Sequence, residues 1–377
     1  MKEIGIYIHI PFCIRKCNYC DFTSYANCSF IEKYIQAVSK EIEQEKEIEE
    51  YIVTTIYIGG GTPSSIDAKY IGEVLNKLKE KFNIKEDAEI TIEINPGTVN
   101  IEKLTKYKEY GINRLSIGLQ ETDNKLLKML GRIHTYEEFL NAYNMAKDVG
   151  FNNINVDLMI GLPNQNLDNI KKSLENIIKL SPKHISVYSL IVEEGTVICK
   201  EIESGILNLP DEELEREQYW FVKNILEKNG YVHYEISNFA KNGFESKHNM
   251  NCWEQKEYFG FGLAAHSYIN KTRYSNLENL KEYIQNLECG KYENNRIINE
   301  KQDTESEQKE YMLLGLRKLE GVSIGQFKLK FNTNPLFKFK KELNKLANEE
   351  LIVVDGDNIK LSSKGLDLAN VVWEEFV

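Results

Sequence analysis

The stretch "IYIHIPFCIRKCNYCDF" (residues 6–22) runs from a strand into a loop that carries three cysteines. Apolar Ile6, Ile8 and Ile10 alternate with Tyr7 and His9, the period of a strand with two different faces. Cys13, Cys17 and Cys20 follow at C-x3-C-x2-C spacing. A structural zinc site is closed by four ligands. His9 and Cys28 are the nearest candidates for a fourth, but His9 sits within the strand and Cys28 stands eight residues on. Three thiolates on one tight loop better fit a [4Fe–4S] cube with three irons held by protein, the fourth iron being open to a non-protein ligand. The chain has seven cysteines, an odd count. The first residues read as a strand without a small-residue cleavage site, not as a signal peptide. Both points favour metal or redox chemistry over a disulfide framework.

Outward from this loop, one theme repeats. Strands are predicted at 4–10, 52–58, 88–94, 113–119, 153–160 and 184–191. Helices are predicted between them at about 30–48, 71–82, 101–110, 123–130, 136–149 and 167–180. Such alternation implies parallel strands with right-handed crossovers. Six units suit an open α/β barrel and fall short of the eight that close one. The rhythm breaks after 195: a helix at 211–229, "YVHYEIS", then an irregular stretch at 238–256. Helices at 305–319, 323–331 and 335–348 precede a hairpin, "LIVVDGDNIKLS", which suggests a winged-helix-like tail. The expected fold is thus a partial (β/α)6 barrel over 1–195, an α+β extension over 196–295, and a helical, winged-helix-like domain over 296–377.

The bulk numbers bound the function. The 377 residues hold 47 Lys and Arg against 58 Asp and Glu, a formal charge of −11. Without a basic cluster, nucleic-acid binding is not expected. Apolar runs such as "ISVYSLIV" (185–192) are too short to span a bilayer, so a cytoplasmic protein is expected.

In parallel α/β sheets the site lies at the carboxyl ends of the strands. The cysteine loop follows the first strand, "GGGTPS" (59–64) the second; Glu93 and Asn95 end the third, Gln120 the fourth, and Asp157 lies in the fifth. "GGGTPS" lacks the Gly-Lys-Ser/Thr ending of a phosphate loop, but its glycines let backbone approach a ligand closely. "GFGLAA" (260–265) imitates a dinucleotide fingerprint outside the repeating units and is discounted.

"CIRKCNYC" resembles the cluster motif of the radical S-adenosylmethionine enzymes, in which the cofactor's amino and carboxylate groups chelate the open iron. "GGGTPS", "IEINPGT", "RLSIGLQ", "GRIHT", "VDLMIGLP" and "HNMNCW" occur in the order seen in one group of that superfamily. The group contains oxygen-independent coproporphyrinogen III oxidase (HemN) and the heme chaperones of the HemW type. "YMLLGLRKLEGVS" (311–323) resembles the start of the group's C-terminal domain. The resemblance implies cluster ligation by Cys13, Cys17 and Cys20. It implies S-adenosylmethionine contacts at Tyr7, Tyr19, Gly60, Gly61, Thr62, Glu93, Gln120, Arg132 and Asp157. Arg132 can pair a carboxylate through its planar fork; Glu93 and Asp157 can accept from an ammonium or from ribose hydroxyls.

Two departures separate this chain from the oxidase. Where the oxidase has a fourth cysteine two places after the third, Phe22 stands here, and the oxidase's N-terminal extension has no counterpart before the first strand. Chaperones of this type carry an H-N-x-x-Tyr-Trp segment implicated in heme binding. Here it reads His248-Asn249-Met250-Asn251-Cys252-Trp253, with Cys252 in the tyrosine's place. A histidine or a thiolate can ligate heme iron. Cys252 also reads as a small buried hydrophobe. His248 reads as a ligand or as a hydrogen-bonded structural histidine, and His266 is a second candidate.

The resemblance implies a heme chaperone. It would carry heme, covalently or not, to apoproteins such as respiratory cytochromes, and it would need a reductant for its cluster. The rival is the oxidase reaction, in which S-adenosylmethionine cleavage yields a 5′-deoxyadenosyl radical that attacks the propionates of coproporphyrinogen III. A third reading is radical chemistry on another substrate.

Overall fold

The computed structural model describes the chain from Met1 to Val377 except Glu47 and the side chain of Cys28. The alternative zinc ligand Cys28 therefore lies outside the described residues. The repeat runs β1 (Lys2–Ile10), α1 (Ile31–Gln44), β2 (Tyr51–Gly60), α2 (Ala68–Lys81), β3 (Ile84–Ile94), α3 (Ile101–Glu109), β4 (Arg114–Gln120), α4 (Asn124–Met129), α5 (Tyr136–Asp148), β5 (Asn153–Ile160), α6 (Leu167–Leu180) and β6 (His184–Ser189). β1 to β6 pair in chain order and all are parallel.

Alternation along these strands sorts their side chains onto two faces. Ile4, Ile6 and Ile8, Ile56 and Ile58, Ile92, Leu115 and Ile117, Ile154 and Val156 are buried in one core with the helices' apolar stripes, such as Ile170, Leu174 and Ile177 of α6. Each such side chain contributes about 1.5–3 kcal/mol by leaving water. Local signals start the helices. Thr135 and Glu138 form a capping box at α5, and Asn166 and Asn169 one at α6. The opposite, inner face carries Tyr57, Glu93, Ser116, Asp157 and Tyr188.

After α7 (Val197–Glu203) and α8 (Glu212–Lys228), the chain adds strands to both edges of this sheet. β7 (Val232–Glu235) and β8 (Asn238–Ala240) extend it beyond β6, with β8 antiparallel to β6. α9 (Lys247–Trp253) follows. Beyond it, β9 (Tyr258–Phe261) pairs parallel to β1, and β10 (His266–Ile269), β11 (Thr272–Asn276) and, after α10 (Leu280–Glu288), β12 (Arg296–Lys301) continue antiparallel. The partial barrel is thus the middle of a 12-stranded sheet.

The stretch 238–256 is not irregular. Its last turn-rich part is α9, capped by the Ser246 hydroxyl and by Glu89, which accepts the N–H groups of Lys247 and His248. The "GFGLAA" glycines serve packing. A Cβ at Gly260 would lie 2.0 Å from the His266 carbonyl oxygen, and one at Gly262, where φ is +99°, 2.5 Å from the Tyr34 hydroxyl.

The C-terminal part comprises α11 (Thr304–Gly315), β13 (Val322–Ser323), α12 (Ile324–Phe331), α13 (Pro335–Lys338), α14 (Lys340–Asn348), β14 (Ile352–Asp355), β15 (Asn358–Leu361), α15 (Ser363–Asp367) and α16 (Ala369–Glu374). β13, β15 and β14 form a small antiparallel sheet beside the helices, as a winged-helix-like unit requires. Met312, Leu316, Phe327, Leu346 and Val372 build a separate core. Two predicted helices end differently. The 305–319 helix stops at Gly315, where a Cβ would meet Val322 at 2.5 Å. The 335–348 helix is broken at Phe339, whose ring turns inward against Phe327 and Phe376.

Candidate functional site

A cavity of about 570 Å³ opens at the carboxyl ends of the parallel strands. Its wall includes Cys13, Cys17, Cys20 and Tyr19 from the first loop, and Gly60, Gly61 and Thr62 from the second. Glu93, Gln120, Arg132 and Asp157 complete the predicted set there. The structure thus brings together the predicted cluster and S-adenosylmethionine residues except Tyr7; the heme-ligand candidates His248, Cys252 and His266 do not line the cavity.

The cysteine loop is pinned on two sides. Thr62 N–H donates to Phe12 O (2.8 Å) and Gly61 N–H to Ile10 O (2.9 Å), tying the glycine loop to the loop's start. Asn18 donates from its backbone to Leu130 O (2.9 Å) and from its side chain to Met129 O (2.8 Å), tying the middle to the end of α4. The Thr62 hydroxyl lies 3.3 Å from Cys13 Sγ, and Arg132 Nη1 3.5 Å from Cys17 Sγ. Burial pushes the Cys13 thiol up and the Cys20 thiol to about 11, so the fold alone does not ionise them. Among the described residues no three His, Cys, Asp or Glu side chains converge on one ion.

The floor is acidic and crowded with hydrogen bonds. Tyr57 OH donates to Glu93 Oε1 (2.9 Å), and Gly60 N–H to Glu93 Oε2 (3.2 Å). Burial, and then the charge of Asp157, push the Glu93 carboxyl up to about 7. Asp157, also raised by burial, accepts from the Asn155 amide (2.6 Å) and from Ser116 Oγ (3.3 Å). The two carboxyl groups raise each other's cost of ionising, and Arg114, also in the wall, offsets part of this at Asp157. Gln120, in the left-handed region at φ 74°, accepts from Tyr188 OH (2.7 Å). Arg132 Nη2 donates to Gly118 O (2.6 Å), while its Nε, like Asn95 Oδ1 and Asn238 Oδ1, is buried without a partner.

His248 is 7% exposed. Its Nδ1 lies 3.0 Å from Thr55 Oγ1 and its ring stacks on Tyr57 at 5.2 Å. Burial and the nearby Arg114 lower its pKa to about 4, so it is neutral at physiological pH. Burial raises the half-buried Cys252 thiol to about 11, which agrees with a packing role. His266 is exposed at the start of β10. The wall also includes Tyr57, Arg114, Ser116, Asn155, Ser186 and Tyr188, none of them singled out from the sequence. The signal was available: along β2 to β6 they recur at every second position, opposite the apolar row.

Residues 7–177 match the family model of the Radical SAM superfamily, and residues 305–368 that of the HemN C-terminal domain. The heme chaperone HemW of Lactococcus lactis is 37% identical over 377 residues, spanning 100% of this chain and 98% of that protein. The heme chaperone HemW of Bacillus subtilis is 39% identical over 376 residues, 98% of each chain. The chain belongs to the HemW family. Among solved structures, coproporphyrinogen III oxidase (HemN) from Escherichia coli superposes with a TM-score of 0.85 at 21% identity, over 100% of this chain and 90% of that one. That likeness is one of fold.

Membership of the HemW family, and through it of the radical SAM superfamily, implies a [4Fe–4S] cluster and S-adenosylmethionine, and the residues present fit both. Three free thiols face the cavity with no partner cysteine. The unpartnered Arg132 Nε and the two carboxyl groups offer complements to the carboxylate and ammonium of an amino acid. Among the described residues no helix is long and apolar enough to cross a membrane.

Proposed function

We propose that this protein is a heme chaperone: it binds heme and passes it to apoproteins. The observation that carries the reading is end-to-end likeness to heme chaperones HemW at 37% and 39% identity. A local feature supports it. Phe22, 63% exposed, lines the cavity mouth where the oxidase-type motif has a fourth cysteine. Respiratory cytochromes are the acceptor class we favour, and the cytoplasm is the compartment.

In this reading Cys13, Cys17 and Cys20 hold three irons of a [4Fe–4S] cluster, and Arg132, Glu93, Asp157 and Gln120 hold S-adenosylmethionine beside it. When bound, the cluster supplies one-electron chemistry at an iron with an open position. The chain's own residues then have simple tasks. Arg132 would pair the cofactor carboxylate through its fork, Glu93 and Asp157 would accept from its ammonium and ribose hydroxyls, and Tyr19, in the cluster loop, would pack against the adenine. The wall over 1–195 would carry the cofactors, 196–295 the HNMNCW helix and 296–377 the winged-helix-like unit, apart from β12 (Arg296–Lys301), which belongs to the edge of the large sheet. The test is transfer: heme-loaded protein mixed with an apocytochrome should lose its heme to the acceptor, and retention of all heme would remove the chaperone reading.

A further inference from the structure

Three aromatic rings form a stack beneath the cavity floor. Tyr57 lies between Tyr7, at 6.4 Å and 25°, and His248, at 5.2 Å and 28°. Tyr57 is the ring that touches the site, through its hydroxyl on Glu93 Oε1 (2.9 Å). The outer ring is held by one hydrogen bond, and the backbone that carries it is capped. His248 Nδ1 meets Thr55 Oγ1 at 3.0 Å, and the His248 backbone N–H donates to Glu89 Oε1 at 3.1 Å. Gly5 is paired with Thr55 across β1 and β2; a Cβ there would crowd the Thr55 hydroxyl, at 3.1 Å, and only touch His248 Cε1, at 3.5 Å. The imidazole does not line the cavity and the residue is 7% exposed, so reaching a heme iron would require the ring to leave both Thr55 and Tyr57.

We propose that His248 is a positioning residue of the cofactor site: it clamps Tyr57 against Tyr7, and Tyr57 in turn orients the Glu93 carboxyl toward S-adenosylmethionine. The HNMNCW helix then acts on the cofactor from behind the wall, and His248 is not the heme's axial ligand. Asn249, the next residue, lines the cavity itself, so the helix reaches the site by two neighbouring side chains. This rests on the reading that Glu93 contacts the cofactor.

The experiment uses full-length protein with its cluster reconstituted anaerobically. Calorimetry measures S-adenosylmethionine affinity in the wild type, His248→Ala, His248→Phe, Thr55→Val, Tyr57→Phe and the His248→Ala/Tyr57→Phe double variant; hemin titration records the Soret band of each. His248→Ala should bind the cofactor roughly 5- to 20-fold more weakly. His248→Phe, which keeps a stacked ring, should recover most of that loss, and Thr55→Val should show part of it. Once the Tyr57 hydroxyl is gone, removing His248 should add little. The Soret maximum should not move in any variant. Wild-type affinity in His248→Ala, full additivity in the double variant, or a Soret shift on losing His248 would each overturn the proposal. If His248→Ala does not fold, Thr55→Val and Tyr57→Phe decide it. A wild-type protein that binds no S-adenosylmethionine overturns the cofactor reading and this inference together. One that binds the cofactor but no heme overturns only the chaperone reading.

Discussion

Arg132 bridges the cysteine loop and the barrel: its Nη1 lies 3.5 Å from Cys17 Sγ while its Nη2 donates to the Gly118 carbonyl at 2.6 Å. One guanidinium therefore sets the thiol loop relative to β4 and leaves its Nε buried and free for a ligand. Arg132→Ala should weaken S-adenosylmethionine binding by about 1.5–3 kcal/mol, the range for a hydrogen bond to a charged group. Arg132→Lys should recover little, because an ammonium cannot reproduce the fork. Calorimetry giving wild-type affinity for the alanine variant would remove Arg132 from the site.

Loss of the three thiols should abolish the cluster. The Cys13→Ala, Cys17→Ala, Cys20→Ala triple variant should bind no stoichiometric iron and sulfide after anaerobic reconstitution, while replacement of Cys289, exposed at the end of α10, should leave both unchanged. Undiminished iron and sulfide in the triple variant would sink the assignment.

Gly60 has φ +107°, and a Cβ there would lie 2.5 Å from the His9 ring. That ring is held by Tyr7 OH and the Thr23 carbonyl, each at 3.1 Å, so it cannot simply swing away. Gly60→Ala should destabilise the fold by more than about 1 kcal/mol and lower Tm by about 2 °C or more. An unchanged melting curve would show that the turn relaxes freely.

The parts legible in the sequence are those written by local periodicity. β1 to β6 show apolar rows such as Ile90, Ile92 and Ile94, and the cavity's cysteines, glycines and carboxylates mark the strand ends. The parts missed depend on distant partners. α9 is closed by Glu89, 158 and 159 residues before the N–H groups it caps, which no window along the chain reveals. β12 is almost wholly exposed, so it has no alternating pattern to read. The break at Phe339 comes from a ring drawn into the C-terminal core. Tyr57 and Asn155 were hidden differently: within strands they read as ordinary fillers, and only the polar row across neighbouring strands gives them a common purpose.

Glu41 of α1, which does not line the cavity, predicts a pH effect on stability. Its carboxylate accepts from Gly262 N–H (2.8 Å), the Asn276 amide (2.6 Å) and Tyr283 OH, yet burial outweighs these bonds and raises it from 4.5 to about 7. The folded state therefore holds this proton more tightly than the unfolded state. The resulting stability is complete below about pH 4.5 and is lost as pH rises through about 7. Its full size is on the order of 3 kcal/mol. Melting curves from pH 5 to 8 should fall more steeply for the wild type than for Glu41→Gln. Parallel curves would show that Glu41 is charged throughout.

The central claim is that this protein carries heme and does not oxidise coproporphyrinogen. One measurement tests it most directly: anaerobically reconstituted protein, with S-adenosylmethionine and reductant, is divided between hemin followed by gel filtration and coproporphyrinogen III followed by product analysis. The account predicts a Soret-absorbing protein peak in the first half and unchanged coproporphyrinogen in the second. Stoichiometric conversion to protoporphyrinogen IX, with heme left behind on the column, would contradict it and show that a cysteine at position 22 is not needed for the oxidase reaction.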